Sequence, residues 1–135
     1  MNAFIIELAD KPGALAKVAE AIAQKGINIT TFSGAVCGDT GTVTLVTNDD
    51  TGTKRALSEA GVKYREVELV TVSIADRPGT LAEVARQLAK TGINVESAVP
   101  TGFAGGNVHV AFVTNNPAQA KDAVRQWILE PAHSR

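Results

Sequence analysis

The sequence is poor in the residues that build several common kinds of site. It holds one cysteine, Cys37, and its aromatic residues amount to 4% of the 135 residues. A single cysteine excludes a disulfide within the chain and disfavours a thiolate metal site. Basic and acidic residues number 13 and 14, and no basic block offers a counter-surface to nucleic acid phosphates. No apolar run is long enough to span a bilayer.

The remaining composition, with 44% apolar residues and a net charge of −1, is typical of a globular protein. The first ten residues contain no lysine or arginine and carry Glu7 and Asp10. A secretory signal begins with a basic region, so we expect a cytoplasmic protein with no membrane partner.

The most informative feature is an internal repeat. Residues 10–29 return as residues 76–95, and eleven of the twenty aligned positions are identical. Unrelated segments of ordinary composition would share about one. The repeat predicts two tandem modules, and a shift of the apolar pattern between Tyr64 and Val67 places their boundary near Glu66. We therefore expect one domain over residues 1–66 and a second over residues 67–135.

Each module has the pattern strand–helix–strand–strand–helix–strand. In the first, the predicted strands cover residues 3–8, 27–36, 42–47 and 62–66, and the helices begin after residues 10 and 50. This order is the split βαβ, ferredoxin-like pattern, an α+β fold with an antiparallel sheet and helices on one face. The second module departs from it after Ile128, where Pro131 and the lack of alternation make a poor strand. Its last strand is predicted to be missing or supplied from elsewhere, which leaves an exposed edge and favours homodimerisation.

A turn of sequence Asp-Lys/Arg-Pro-Gly precedes the first helix of each module. Structurally, the aspartate caps the helix and the proline occupies its first turn. Functionally, backbone N–H groups at the helix start bind a carboxylate, and the aspartate meets an ammonium group beside it. The residues concerned are Asp10, Gly13 and Ala14 in the first module and Asp76, Gly79 and Thr80 in the second. One such turn holds both charges of a free α-amino acid.

A second repeated motif, Gly-Ile-Asn, follows that helix and places Asn28 and Asn94 at the start of a strand. One interpretation is a local bond from the asparagine side chain to the backbone. The other is that the amide donates and accepts hydrogen bonds across a module interface.

No arrangement typical of catalysis accompanies these motifs. His109 alternates with Val108 and Val110 in a predicted strand and is interpreted as structural, and His133 lies near the C-terminus. The glycine-rich stretch 102–106 lacks the spacing of a nucleotide site and is predicted to be a hairpin loop that laps over a ligand. We expect no enzyme activity, no metal and no cofactor.

Taken together, the Asp-Lys/Arg-Pro-Gly-x-Leu-Ala-x-Val-Ala and Gly-Ile-Asn-Ile/Val motifs, each present twice, resemble the ACT domain. The resemblance covers nearly the whole chain and falters after Ile128. It implies a βαββαβ fold that binds small ligands, most often amino acids, at interfaces between paired domains. It implies ligand contacts at Asp10, Gly13, Ala14, Leu15, Asn28, Asp76, Gly79, Thr80, Leu81 and Asn94.

Three functions fit the sequence. The first is a free-standing, non-enzymatic allosteric regulator that binds an amino acid, forms a homodimer and acts on an enzyme or regulator partner. The second is the regulatory small subunit of an amino-acid biosynthetic enzyme. The third is a small enzyme of ferredoxin-like fold, which would need a cleft with a titratable pair that the sequence does not indicate.

Overall fold

The computed structural model describes residues 1–129, which form two compact units. The first unit covers Met1–Glu68 and the second begins at Leu69. Within the described residues, no helix is both long and apolar enough to cross a membrane.

The first module is a four-stranded antiparallel sheet with two helices. Its elements are β1 (Asn2–Ala9), α1 (Ala14–Ala23), β2 (Ile29–Cys37), β3 (Thr40–Thr47), α2 (Asp50–Glu59) and β4 (Tyr64–Glu68). The strand order is β2-β3-β1-β4, so the first strand is central and β2 is an edge. This is the βαββαβ topology that the sequence predicts.

The core of the first module lies between the sheet and its helices. In β1, Phe4 and Ile6 point into the core while Glu7 is exposed, as the two-residue period of a strand requires. Val18 and Ile22 lie one helical turn apart on α1 and pack in the same cluster. Ala56 and Leu57 of α2 belong to the same cluster, so both helices lie on one face of the sheet.

The second module repeats the architecture with one strand fewer. Its elements are β5 (Val70–Ala75), α3 (Thr80–Lys90), β6 (Val95–Ala104), β7 (Asn107–Thr114), α4 (Pro117–Ala123) and a 3-10 turn (Arg125–Trp127). The sheet has the order β5-β7-β6. Val72, Val84, Leu88 and Phe112 are among the buried side chains of its core.

A short contact occupies the place of the fourth strand of the second module. Ile128 forms an isolated antiparallel bridge with Val72, and the N–H of Leu129 donates to the carbonyl oxygen of Thr71 at 3.0 Å. The equivalent edge of the first module is paired along the whole of β4. The prediction that the last strand is missing is confirmed for the described residues. Pro131 and His133 lie outside them.

Two local predictions were wrong. Asp10 does not cap α1, because that helix begins at Ala14 and its N-cap is Gly13, with a φ of 89° and no side-chain cap bond. A capping side chain reaches only the N–H groups two or three residues further on, so Asp10 lies too early in the chain. The glycine turns the chain instead, in the left-handed region where it carries no steric penalty.

The predicted loop at residues 102–106 is mostly strand. β6 continues to Ala104, which pairs with Asn107, so the hairpin turn consists of Gly105 and Gly106 alone. Their φ values of 59° and 83° fit a two-residue type I′ turn, which needs positive φ at both positions. No loop remains at this place to lap over a ligand.

Candidate functional site

The helix-start turn of the first module is held by backbone hydrogen bonds. The N–H of Asp10 donates to the carbonyl oxygen of Asp39 at 3.4 Å, and the N–H of Lys11 donates to that of Ala9 at 2.9 Å. The N–H of Ala14 is directed back to the carbonyl of Lys11 at 3.4 Å. It is therefore partly engaged, where the sequence had suggested a free donor.

Three other N–H groups at the start of α1 have no acceptor within residues 1–129. The first helical bond runs from the N–H of Lys17 to the carbonyl oxygen of Gly13 at 3.0 Å. The N–H groups of Gly13, Leu15 and Ala16 precede it and have no partner in their own helix, as is general for a first turn. This end of the helix carries partial positive charge and favours an anion.

The second module reproduces this turn closely. Gly79 is the N-cap of α3 and has a φ of 91°, close to the 89° of Gly13. The N–H of Asp76 donates to the carbonyl oxygen of Gly106 at 2.9 Å, and the first helical bond runs from Glu83 to Gly79 at 3.0 Å. Within residues 1–129, the N–H groups of Gly79 and Leu81 have no acceptor, like those of Gly13 and Leu15. Asp76, like Asp10, is exposed.

One predicted ligand residue of this turn has a structural role. The hydroxyl of Thr80 lies 2.7 Å from the carbonyl oxygen of Ala75, to which it donates, and 3.1 Å from that of Arg77. Thr80 is 93% buried, and the first module has Ala14 at this position. Thr80 therefore ties the helix start to the end of β5.

An open groove of about 510 Å³ runs beside the turn of the first module. It lies between the turn, the start of α1 and one face of β2 and β3. Of the predicted site residues, Asp10, Ala14 and Leu15 line it, together with Lys11, Phe32 and Val36. The sequence analysis missed Phe32 and Val36, whose only signal was an apolar side chain on a predicted strand.

Asn28 does not line this groove, and its backbone is bound elsewhere. Its N–H donates to Oδ1 of Asn48 at 3.1 Å, and the N–H of Asn48 donates to the carbonyl oxygen of Asn28 at 3.1 Å. Asn94 and Asn115 form the same pair at 3.0 Å and 3.2 Å. The side chains of Asn28 and Asn94 are exposed, and neither forms a hydrogen bond within the described part of the chain.

The side-chain amide that makes the local bond thus belongs to the later asparagine of each pair. Sequence reasoning missed Asn48 and Asn115, although a signal was present. The dipeptide Thr-Asn closes β3 at residues 47–48 and β7 at residues 114–115. It is a third motif that the two modules share.

The groove contains two charged residues, Asp10 and Lys11, both exposed. The carboxyl groups with lowered pKa lie away from it. A hydrogen bond from Asn2 and the nearby Lys54 ammonium lower the pKa of Glu66, and Lys25 lowers that of Glu59 in the same way. Among residues 1–129, no cluster of histidine, cysteine and acidic side chains is placed to hold a metal ion.

Comparisons with known proteins bear on the family and the fold. Residues 3–60 match the family model of the ACT domain. No curated protein sequence matches the chain significantly. Among solved structures, protein BT0572 from Bacteroides thetaiotaomicron aligns with a TM-score of 0.80 at 23% identity, over 95% of this chain and 90% of that one.

Two further structures are regulatory subunits of aspartate kinase. The subunit from Thermus flavus aligns with a TM-score of 0.61 at 25% identity, over 93% of this chain and 91% of that one. The subunit from Thermus thermophilus gives a TM-score of 0.61 at 23% identity, with the same coverage. The α+β fold of the two modules therefore recurs, nearly complete, in proteins of similar length.

Proposed function

Because residues 3–60 of this chain match the family model of the ACT domain, we propose that the protein is a non-enzymatic regulator that binds an amino acid at its helix-start turns. The observation that carries the proposal is the coincidence of a groove with an anion-binding helix start. The N–H groups of Gly13 and Leu15, which have no acceptor within residues 1–129, suit a carboxylate. Leu15 and Asp10 line the groove, whereas Gly13 does not, and the carboxylate of Asp10 suits an ammonium group. Both charges of an α-amino acid thus find complementary groups in one turn.

The repeat supports the same assignment for the second module. Gly79 and Leu81 present equivalent N–H donors, and Asp76 is placed like Asp10. The side-chain amides of Asn28 and Asn94 remain available to a ligand. Since Asn28 does not line the groove of its own module, we propose that it reaches a ligand held by a second copy of the chain. The regulator is accordingly proposed to be a cytoplasmic homodimer.

Thermal-shift screening of the full chain against the proteinogenic amino acids tests this function. A ligand that binds only the folded state raises the melting temperature, by several degrees at saturating concentration. Calorimetric titration of Asn28→Ala and Asn94→Ala then tests the contacts. Each substitution should weaken binding about tenfold to a hundredfold, because one hydrogen bond to a charged ligand group is lost. If none of the amino acids shifts the melting temperature, the proposal fails.

A second candidate is the regulatory subunit of an amino-acid biosynthetic enzyme. It is favoured by the likeness, at 25% identity and over 93% of this chain, to the aspartate kinase regulatory subunit from Thermus flavus. Light scattering and affinity capture separate the two candidates. A free regulator should elute as a homodimer, whereas a subunit should capture one enzyme at fixed stoichiometry from its own organism.

A further inference from the structure

We propose that the groove of the first module selects an α-amino acid with an apolar side chain, such as leucine or phenylalanine. This inference rests on the function proposed above and adds the class of ligand. Ten of the thirteen residues that line the groove are apolar or glycine. The other three are Asp10, Lys11 and Thr42. Its volume of about 510 Å³ falls within the range of small-molecule sites.

The apolar wall of the groove is exposed to solvent. Phe32 is 61% exposed, and Val36 and Leu15 are 58% and 47% exposed. Phe32 and Val36 lie on the edge strand β2, and Leu15 lies on the first turn of α1. Covering these side chains with a hydrocarbon group removes apolar surface from water, which is favourable in proportion to the area buried.

The charges of the groove favour a zwitterion over a purely apolar occupant. Asp10 and Lys11 carry opposite charges and adjoin each other at the turn, while the walls beyond them are uncharged. An ammonium and a carboxylate on one carbon complement this pair. A hydrophobic protein segment would cover the wall but would leave both charges without a matching group.

The second module keeps the charges but has a different wall. Ala98 pairs with Phe112 as Phe32 pairs with Leu45, so an alanine stands where the first module has a phenylalanine. Pro100 likewise stands in the register of Gly34, and a bulge follows it. Beyond the bulge, Phe103 takes the register of Val36 and is 73% exposed, so the aromatic side chain has a different place along the strand. The groove lined by Phe32 belongs to the first module, and the selection for an apolar side chain is assigned to it.

Calorimetric titration of the full chain tests the selectivity. L-leucine and L-phenylalanine should bind at least tenfold more tightly than L-serine and L-aspartate. The Phe32→Ser substitution should weaken L-leucine binding about tenfold, whereas the matched Ala98→Ser substitution in the second module should leave it unchanged. 4-Methylpentanoate and 3-methylbutylamine, which each lack one charge of leucine, should bind at least tenfold more weakly than leucine.

The outcomes separate this inference from the proposed function. Binding of L-serine or L-aspartate as tightly as L-leucine would overturn the inference and leave an amino-acid regulator standing. So would a Phe32→Ser variant that binds L-leucine normally but changes from dimer to monomer in light scattering, because the groove would then hold a second copy. Absence of binding by every amino acid would overturn both. Circular dichroism of each variant is the control that checks whether it is folded.

Discussion

Oδ1 of Asn48 accepts a hydrogen bond of 3.1 Å from the backbone N–H of Asn28, twenty residues earlier in the chain. The bond joins the approach to β2 to the segment that leaves β3. Asn115 holds Asn94 in the same way at 3.0 Å. The side chain of the later asparagine is structural in each module, and that of the earlier one is left for other contacts.

Asn48→Ala is expected to lower the free energy of unfolding by about 0.5–1 kcal/mol, since an exposed hydrogen bond is lost. Asn48→Asp keeps an acceptor oxygen and should cost less. Asn28→Ala removes a side chain that forms no hydrogen bond within residues 1–129, so the stability of this variant should stay within about 0.5 kcal/mol of the parent. Urea denaturation of the three variants provides the measurement. Equal losses for Asn28→Ala and Asn48→Ala would contradict the assignment of roles.

Gly13→Ala and Gly79→Ala should each cost about 1–2 kcal/mol of stability, because both glycines have φ near 90°, where other residues are strained. Crowding is not the cause, since a Cβ atom built at either position meets no atom within 4 Å. Gly13→Asn should be milder than Gly13→Ala, because asparagine tolerates this region better. Thermal unfolding that gives the reverse order would show that strain is not limiting.

Gly52→Ala should destabilise the first module even though alanine is ordinarily the better helix former. A Cβ atom at this position would lie 2.5 Å from Oδ2 of Asp49 and 2.8 Å from Cδ1 of Ile27. It would disturb the cap of α2, where Asp49 accepts from the N–H of Gly52, and the core side chain beside it. We expect a loss of about 1–3 kcal/mol in denaturant unfolding. Ser58→Ala on the exposed face of the same helix is the control, and a stabilised Gly52→Ala would refute the prediction.

The carboxyl of Glu66 provides a prediction for pH. Asn2 Nδ2 donates to it at 2.9 Å and Lys54 lies 3.1 Å from its other oxygen, so its pKa is lowered from the usual 4.5. A lowered pKa in the folded state contributes stability that is fully present above the ordinary value. That contribution is lost as the pH falls from about 4.5 through the folded pKa.

Titration of the Glu66 carboxyl by NMR tests the cause. Asn2→Ala should raise its pKa toward the usual value, because the hydrogen bond from Asn2 is the largest contribution. Glu66→Gln should remove this part of the acid-dependent loss of stability. An unshifted pKa in the parent protein would exclude the predicted effect.

The repeat made the fold predictable, because two copies of one apolar pattern constrain each other. The residue at which a helix begins was harder to predict. Asp10 and Gly13 are both suitable before a helix, and only the backbone conformation shows that the glycine ends the turn. The partner of Asn28 was missed because it lies at the end of β3, a contact that depends on tertiary structure.

The groove was not predictable either, because it also depends on tertiary structure. Phe32 and Val36 stand in an apolar strand that the sequence assigns to a sheet without indicating which side chains stay exposed. Ala98 shows that the matching place in the other module differs. That Ala98 occupies the place of Phe32 becomes visible only when β2 and β6 are aligned by their pairing with β3 and β7.

The donors at the two helix starts are main-chain atoms, and this affects how the modules can evolve. Every amino acid except proline supplies the same N–H group, so ordinary point mutations at Leu15 or Leu81 leave the donor in place. The walls of the groove have no such protection, and Phe32 and Ala98 have already diverged. Duplication of a module of this kind passes on main-chain donors together with a variable wall, so new ligand preferences can arise without rebuilding the turn.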